Sequence, residues 1–169
     1  MKKILIIDTG GTFNKIYSPR DGNLYIDTDS NALKDIANKW LCELRFVSII
    51  GKDSLDMDNK DRLLLLESIN QSNHEHIIII HGTDTIDITA KYLLDKNIEK
   101  QIMLTAAMVP YSIDPVEATA NLASALGYMQ AKEKKGIYIA MNGVFGLAEQ
   151  IKKNRKLGKF LFTYKGLDH

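Results

Sequence analysis

The sequence has one cysteine, Cys42, so no internal disulfide can form, and the thiol reads as a reduced, structural group in a reducing compartment. Charge of one sign is not in excess either. The 22 basic and 21 acidic side chains leave +1, which gives no electrostatic reason to expect a nucleic-acid or membrane-surface partner. Long apolar runs are missing: after Lys2 and Lys3 the chain is apolar only from Ile4 to Ile7, and Leu63 to Leu66 and Ile77 to Ile80 are runs of four. A signal-peptide core needs ~7–15 apolar residues and a bilayer span ~20, so a soluble, cytoplasmic protein with no membrane partner is expected. Neither G-x-G-x-x-G nor G-x-x-x-x-G-K-[ST] occurs, which disfavours a nucleotide cofactor. His74, His76, His81 and His169 show no i, i+4 pairing and Cys42 stands alone, so no metal and no cofactor are expected.

What the sequence does have is 169 residues of ordinary globular composition. That length fits one domain, 1–169, because two would each need roughly 100–150 residues. Short β-branched runs alternate with helical patterns, the signature of an α/β protein with a mostly parallel sheet. Strands are expected over Lys3 to Thr9, Phe46 to Ile50, His76 to His81, Gln101 to Thr105 and Ile137 to Met141. Helices are expected from Asn59 to Asn70 behind an Asp58 cap, from Asp84 or Thr85 to Lys96, and from Asp114 to about Lys132. A weaker helix runs from Asn31 to Leu41 behind a cap at Ser30. Between Thr9 and Ser30 the chain reads as an irregular loop, too long for the usual two to six residue connection, and is a candidate lid. From Asn142 to Tyr164 it reads as a β-ribbon or an arm. Lys152, Lys153, Arg155, Lys156, Lys159 and Lys165 meet no acid between Gln150 and Gly166, a run read as a solvated face rather than a nucleic-acid surface.

Open α/β sheets bind ligands beyond the carboxyl ends of their strands. Here those ends are rich in hydroxyls and acids: Thr9-Gly10-Gly11-Thr12, Gly51-Lys52-Asp53-Ser54, Gly82-Thr83-Asp84-Thr85 and Thr105-Ala106-Ala107-Met108. Glycines beside the first three let backbone N–H groups approach a ligand closely, as an anion or oxyanion requires. Taken singly, Thr12, Thr83 and Thr85 are what helix caps and loop hydroxyls look like.

Taken together, Ile6-Ile7-Asp8-Thr9-Gly10-Gly11-Thr12, Asp53-Ser54-Leu55-Asp56-Met57 and His81-Gly82-Thr83-Asp84-Thr85 resemble, in order, three signatures of the bacterial-type L-asparaginase/glutaminase family. Thr105 to Pro110 with Asn121-Leu122 is similar to a fourth segment, and Met141-Asn142 with Lys153 twelve residues after the Met to a fifth. The resemblance implies a flavodoxin-like, Rossmann-like three-layer fold corresponding to the N-terminal domain of asparaginases, and hydrolysis of L-asparagine to L-aspartate and ammonia. L-glutamine would be a slow second substrate and a homo-oligomer is implied. Residue by residue, Thr12 would be the nucleophile that forms an acyl-enzyme, and Thr83, Asp84 and Lys153 the second catalytic set. Asp53 and Ser54 would bind the substrate, Ser54 at its α-carboxylate and Asp84 at its ammonium, with Gly11, Gly82 and Thr83 around the oxyanion. These types suit the chemistry, since a threonine hydroxyl is a weak nucleophile that needs a proton acceptor, and the oxyanion needs aimed N–H donors. The family's loop tyrosine would be Tyr17, with Tyr25 as the alternative; the acceptor for the Thr12 proton stays open among Tyr17, Tyr25 and a water relayed from Lys153.

The pattern departs from the family in places. Full-length members are about twice as long, and a second domain there supplies a carboxylate to the substrate ammonium. Losing one charge-assisted hydrogen bond of ~1.5–3 kcal/mol weakens binding roughly ten- to a hundred-fold. Ala106 stands where the family prefers Gly, which predicts strain if the backbone there needs a positive φ, and Val109 replaces an Arg. Two rivals follow from these departures: a catalytically silent module that binds an amino acid or a protein, and an amidase acting on a different amide.

Overall fold

The computed structural model describes residues 1–163; Tyr164, Lys165 and His169, which the sequence reading drew on, lie outside the described residues. In chain order the elements are β1 (Ile4–Gly10), β2 (Lys15–Tyr17), β3 (Leu24–Ile26), α1 (Asn31–Trp40), β4 (Arg45–Lys52), α2 (Asn59–Gln71), β5 (His76–Ile80), α3 (Ile86–Leu94), β6 (Gln101–Thr105), α4 (Pro115–Ala131), β7 (Gly136–Met141), β8 (Val144–Leu147), β9 (Ile151–Asn154) and β10 (Lys159–Phe162). Six strands make one sheet in the order β4-β1-β5-β6-β7-β8. The first five run parallel and β8 closes one edge antiparallel to β7. The parallel part is the flavodoxin-like order, whose switch point lies between β1 and β5.

Helices cover both faces. Ile77 and Ile79 pack with Leu65 and Ile69 of α2 and Ile86, Ala90 and Leu93 of α3. Ile78 and Ile80 pack with Leu33 and Ile36 of α1 and Leu122, Ala125 and Met129 of α4. The unbroken run of four isoleucines is thus the mark of a strand buried on both sides. Asp58 caps α2 in a reciprocal capping box with Asp61, and Asp114 caps α4 with Pro115 as its first residue. No helix among the described residues is long and apolar enough to cross a membrane.

Three local expectations are corrected. The stretch after β1 is not an irregular loop: β2 and β3 pair as an antiparallel hairpin, with Lys15 opposite Ile26 and Tyr17 opposite Leu24. Ser30 does not cap α1 through its side chain. It takes a left-handed backbone and turns its hydroxyl to the carboxylate of Asp8, while Asp27 accepts from the Asn31 N–H at 2.8 Å. Ala106 does not take a positive φ, so its methyl creates no backbone strain, and its buried N–H faces the Met141 sulfur at 3.1 Å. At the other end the ribbon reading of Asn142 onward holds over the described residues, where β8 joins the sheet and β9 pairs antiparallel with β10.

Turns after β1, β4 and β5 meet at the switch point. Gly11 donates its N–H to the Lys52 carbonyl at 2.9 Å, and at φ 74° it lies so near the turn after β5 that a Cβ would sit 2.7 Å from both Cα and N of Gly82. A Cβ on Gly82 would in turn stand 2.5 Å from the Ser54 Cβ. Beneath this contact, the buried Asp8 carboxylate accepts from the Gly10 N–H at 2.9 Å, the Asn14 amide at 2.7 Å and the Ser30 hydroxyl. Its donors bracket the turn that carries Thr12.

Gly11→Ala forces two backbones apart and strains a left-handed residue, so urea unfolding is expected to show a loss of about 2–4 kcal/mol. Gly158→Ala, at φ 61° but with nothing within 4 Å of the new methyl, is the comparison and loses only about 1 kcal/mol; equal losses contradict the close-approach account. Burial is the main force on Asp8 and raises its pKa from 3.8 to about 6 against the pull of the Ser30 and Gly10 hydrogen bonds. A carboxyl raised in this way stabilises the fold below about pH 4 and loses that contribution as pH rises through about 6. In Asp8→Asn the amide oxygen keeps the Gly10 and Asn14 bonds, and its NH₂ donates to Ser30. The stability of this variant relative to wild type therefore grows by about 2 kcal/mol between pH 4 and pH 7, and a pH-independent difference contradicts the assignment.

Candidate active site

The site lies at the C-terminal ends of β1, β4 and β5. Thr12 follows Gly11 and opens a 3-10 turn over Thr12–Asn14, where the 0%-exposed Phe13 anchors the turn in the core. The Thr12 hydroxyl is half-buried and engages no hydrogen bond among the described residues. Neither candidate tyrosine makes a hydrogen bond to it. Tyr17 and Tyr25 are both exposed, Tyr25 donates its hydroxyl to Asp21, and the Tyr17 hydroxyl stands 4.0 Å from where a Gly22 Cβ would be, near the hairpin tip. They differ in face: strand alternation puts Tyr17 on the same face of the hairpin as Lys15, and Tyr25 on the other with Ile16.

Thr83, Asp84 and Lys153 do come together. Lys153 donates to the Thr83 hydroxyl at 2.9 Å and to the Asp84 carboxylate at 2.7 Å. Alternation explains the aim of this lysine: Ile151, on the same face of β9, is buried in the core, and so is Phe160, the residue paired with Lys153 across the ribbon. The Lys153 side chain is 9% exposed against 41% for Asp84, so the pair has one dry end and one wet end. This chain of groups can pass a proton to or from whatever lies at the Thr83 hydroxyl. Thr85 holds the N-cap position of α3 but does not cap it through its side chain; its hydroxyl donates to the Ser54 carbonyl at 2.8 Å and locks the turns after β4 and β5 together.

Asp53 caps the short turn Ser54–Asp56 through the Leu55 N–H. Burial pushes the Asp53 pKa up, but the Lys15 ammonium at 2.5 Å and the Leu55 N–H outweigh it, and the net shift is below the ordinary value. Ser54 is 1% exposed, and its buried hydroxyl has no partner among the described residues. Behind Gly82, the fully buried His81 is held neutral, because burial lowers its pKa to about 4 against the pull of the Gly82 carbonyl. Its Nδ1 faces that carbonyl at 2.9 Å and its Nε2 faces the Thr89 hydroxyl at 2.9 Å, while Arg62 donates to the same hydroxyl at 3.1 Å. Arg62 has only donors, so the bonds run one way: Arg62 to Thr89, Thr89 to Nε2, and Nδ1–H to Gly82.

The fourth and fifth segments knit to each other. Asn121 bonds the Ala106 carbonyl and the Asn142 N–H, each at 2.9 Å, and the Glu117 carboxylate takes the N–H groups of Met108 and Val109 and the Asn142 amide. Sequence reasoning missed Lys15, Asp8 and Arg155, whose guanidinium donates to the Asp84 carbonyl at 2.6 Å. Asp8 carried a signal, an acid inside an apolar strand; Lys15 and Arg155 carried none. Among the described residues no His, Cys, Asp or Glu side chains are grouped to hold a metal ion. An apolar groove of about 570 Å³ between α1 and α4, lined by residues such as Ile36, Trp40 and Val116, contains none of the site residues.

Residues 3–163 match the family model described as Asparaginase, N-terminal. The probable periplasmic L-asparaginase of Haemophilus influenzae is 31% identical over 156 residues, which cover 84% of this chain and 43% of that protein. The L-asparaginase of Thermococcus kodakarensis is 26% identical over 161 residues, 92% of this chain and 49% of that one. Its solved structure superposes with a TM-score of 0.82 at 24% identity, over 96% of this chain and 51% of that chain. The probable cytoplasmic L-asparaginase of Campylobacter jejuni superposes with a TM-score of 0.76, also at 24% identity, over 99% of this chain and 60% of that chain. The chain thus spans about half the length of the curated relatives it matches. With that family model matched over residues 3–163 and strand-end signatures that meet at the switch point of the sheet, the chain belongs to the asparaginase family, over the length of that family's N-terminal domain.

Proposed function

We propose that this chain hydrolyses the side-chain amide of L-asparagine to L-aspartate and ammonia, with L-glutamine a slower substrate and with no metal or cofactor. The observation that carries the reading is the Thr83–Lys153–Asp84 chain set beside a free Thr12 hydroxyl, across the Gly11–Gly82 contact. Thr12 Oγ1 attacks the amide carbon while its proton passes by way of the Tyr17 hydroxyl to the amide nitrogen, and the oxyanion is met by backbone N–H groups beside Gly11 and from Gly82 to Thr83, the Gly11 N–H itself being held by the Lys52 carbonyl. Collapse breaks the C–N bond, ammonia leaves with a proton, and an aspartyl ester stays on Thr12. Water at Thr83, its proton taken along the Lys153–Asp84 chain, then adds to the ester carbon; the C–O bond to Thr12 breaks, a proton returns to Oγ1, and L-aspartate is freed. Tyr17 shares the hairpin face of Lys15, so closure of the hairpin is the route by which its hydroxyl meets Thr12. Ser54 receives the substrate α-carboxylate, Asp84 the ammonium, and Asp53 completes the binding turn.

The same reading has residues 1–169 as one asparaginase N-terminal-type domain, acting as a homo-oligomer in the cytoplasm. The Campylobacter neighbour supports the cytoplasmic assignment and the Haemophilus relative points to the periplasm. A second reading, a binding module without turnover, draws on two observations: the chain spans half its relatives, and neither tyrosine hydroxyl bonds to Thr12.

Ammonia release from millimolar L-asparagine separates the two. Wild type turns over, and Thr12→Ala and Lys153→Met, folded by circular dichroism, each lose at least about 10²-fold. No ammonia from folded wild type across a range of protein concentrations contradicts the hydrolase reading, and thermal stabilisation by L-aspartate without turnover supports the binding module.

A further inference from the structure

Three cations stand at this site. Lys153 is spent on Thr83 and Asp84, and Arg155 donates to the Asp84 backbone carbonyl. Lys15 rests on Asp53, three residues beyond Thr12, with its side chain 22% exposed and its own carbonyl held by the Ser112 hydroxyl at 2.7 Å. The second oxygen of Asp53 is taken by the Leu55 N–H, and the next residue, Ser54, has the buried hydroxyl without a partner.

An α-amino acid arrives with one carboxylate and one ammonium. A carboxylate brought to the Ser54 hydroxyl comes up against the negative charge of Asp53, and like charges so close repel unless a cation lies between them. We propose that Lys15 is a specificity-determining residue of this site, its ammonium bridging Asp53 and the substrate's α-carboxylate at the Asp53–Ser54 turn. This rests on the hydrolase reading and names what lets the site choose an α-amino acid over a plain amide. Lys15 opens β2, so its contact with the carboxylate also pins the hairpin, and the face that bears Tyr17, over the bound substrate.

The test compares kcat/KM on three amides for wild type, Lys15→Met and Lys15→Arg. L-Asparagine carries both charges, succinamate keeps the carboxylate without the ammonium, and 3-aminopropanamide keeps the ammonium without the carboxylate. Lys15→Met is expected to lose about tenfold or more on the two carboxylate-bearing amides, chiefly through KM, with no fall on 3-aminopropanamide, and Lys15→Arg to restore most of the loss. An equal fall on all three amides makes Lys15 merely structural, and unchanged or improved asparagine turnover makes it an obstruction on Asp53; either overturns the proposal. If folded wild type hydrolyses none of them, the hydrolase reading fails, and calorimetry decides on Lys15. Binding of L-aspartate that weakens about tenfold or more in Lys15→Met, while β-alanine binding does not, upholds the bridge. Equal weakening of both ligands, or no aspartate binding to wild type, overturns it.

Discussion

Everything at this site depends on two missing side chains. Gly11 and Gly82 bring the turns after β1 and β5 into backbone contact, and Gly82 leaves room for Ser54 from the turn after β4. A methyl group at either glycine would stand within 2.7 Å of its neighbours, closer than real Cβ atoms come. The contact sets Thr12 and Thr83 on adjoining turns, and the Gly11 N–H, held by the Lys52 carbonyl, ties the turn after β4 to the same place. The parallel sheet supplies the frame, because order β4-β1-β5 makes β1 and β5 neighbours at the switch point.

Charge is arranged around that contact in layers of different wetness. Asp8 and His81 are buried behind the turns and act through hydrogen bonds to Gly10 and Gly82, the backbone on which the contact is built. Burial makes both groups reluctant to carry charge, and keeping Asp8 ionised at neutral pH costs stability that the fold recovers in its isoleucine core. Farther out, Lys153 and Asp84 form a half-dry pair that can relay a proton, and Lys15 and Asp53 form a second pair at the turn after β4. Two opposite pairs suit a zwitterion better than a ligand of one sign.

Much of this was legible in the sequence because it is local. The five parallel strands and four helices lie within a few residues of their expected bounds, since β-branched runs, Asp58 and Asp114 caps and Pro115 all act over short range. The strand-end signatures were legible for the same reason, and the topology did the rest by bringing their ends together. The hairpin was not legible: β2 and β3 are three residues each, and their alternation is too short to show a period. Ser30 looked like a cap and became a partner of Asp8, because a buried carboxylate from another element competed for its hydroxyl. Lys15 and Arg155 find their partners 38 and 71 residues away in sequence, so no spacing rule could have marked them.

The most direct test of the account is to quench the protein with acid during turnover of L-asparagine, map its peptides by mass, and repeat the experiment with Thr12→Val. The account predicts an aspartyl ester on the peptide that carries Thr12, and neither ester nor turnover in the variant. An ester on Thr83 instead, or turnover that survives in Thr12→Val, contradicts it.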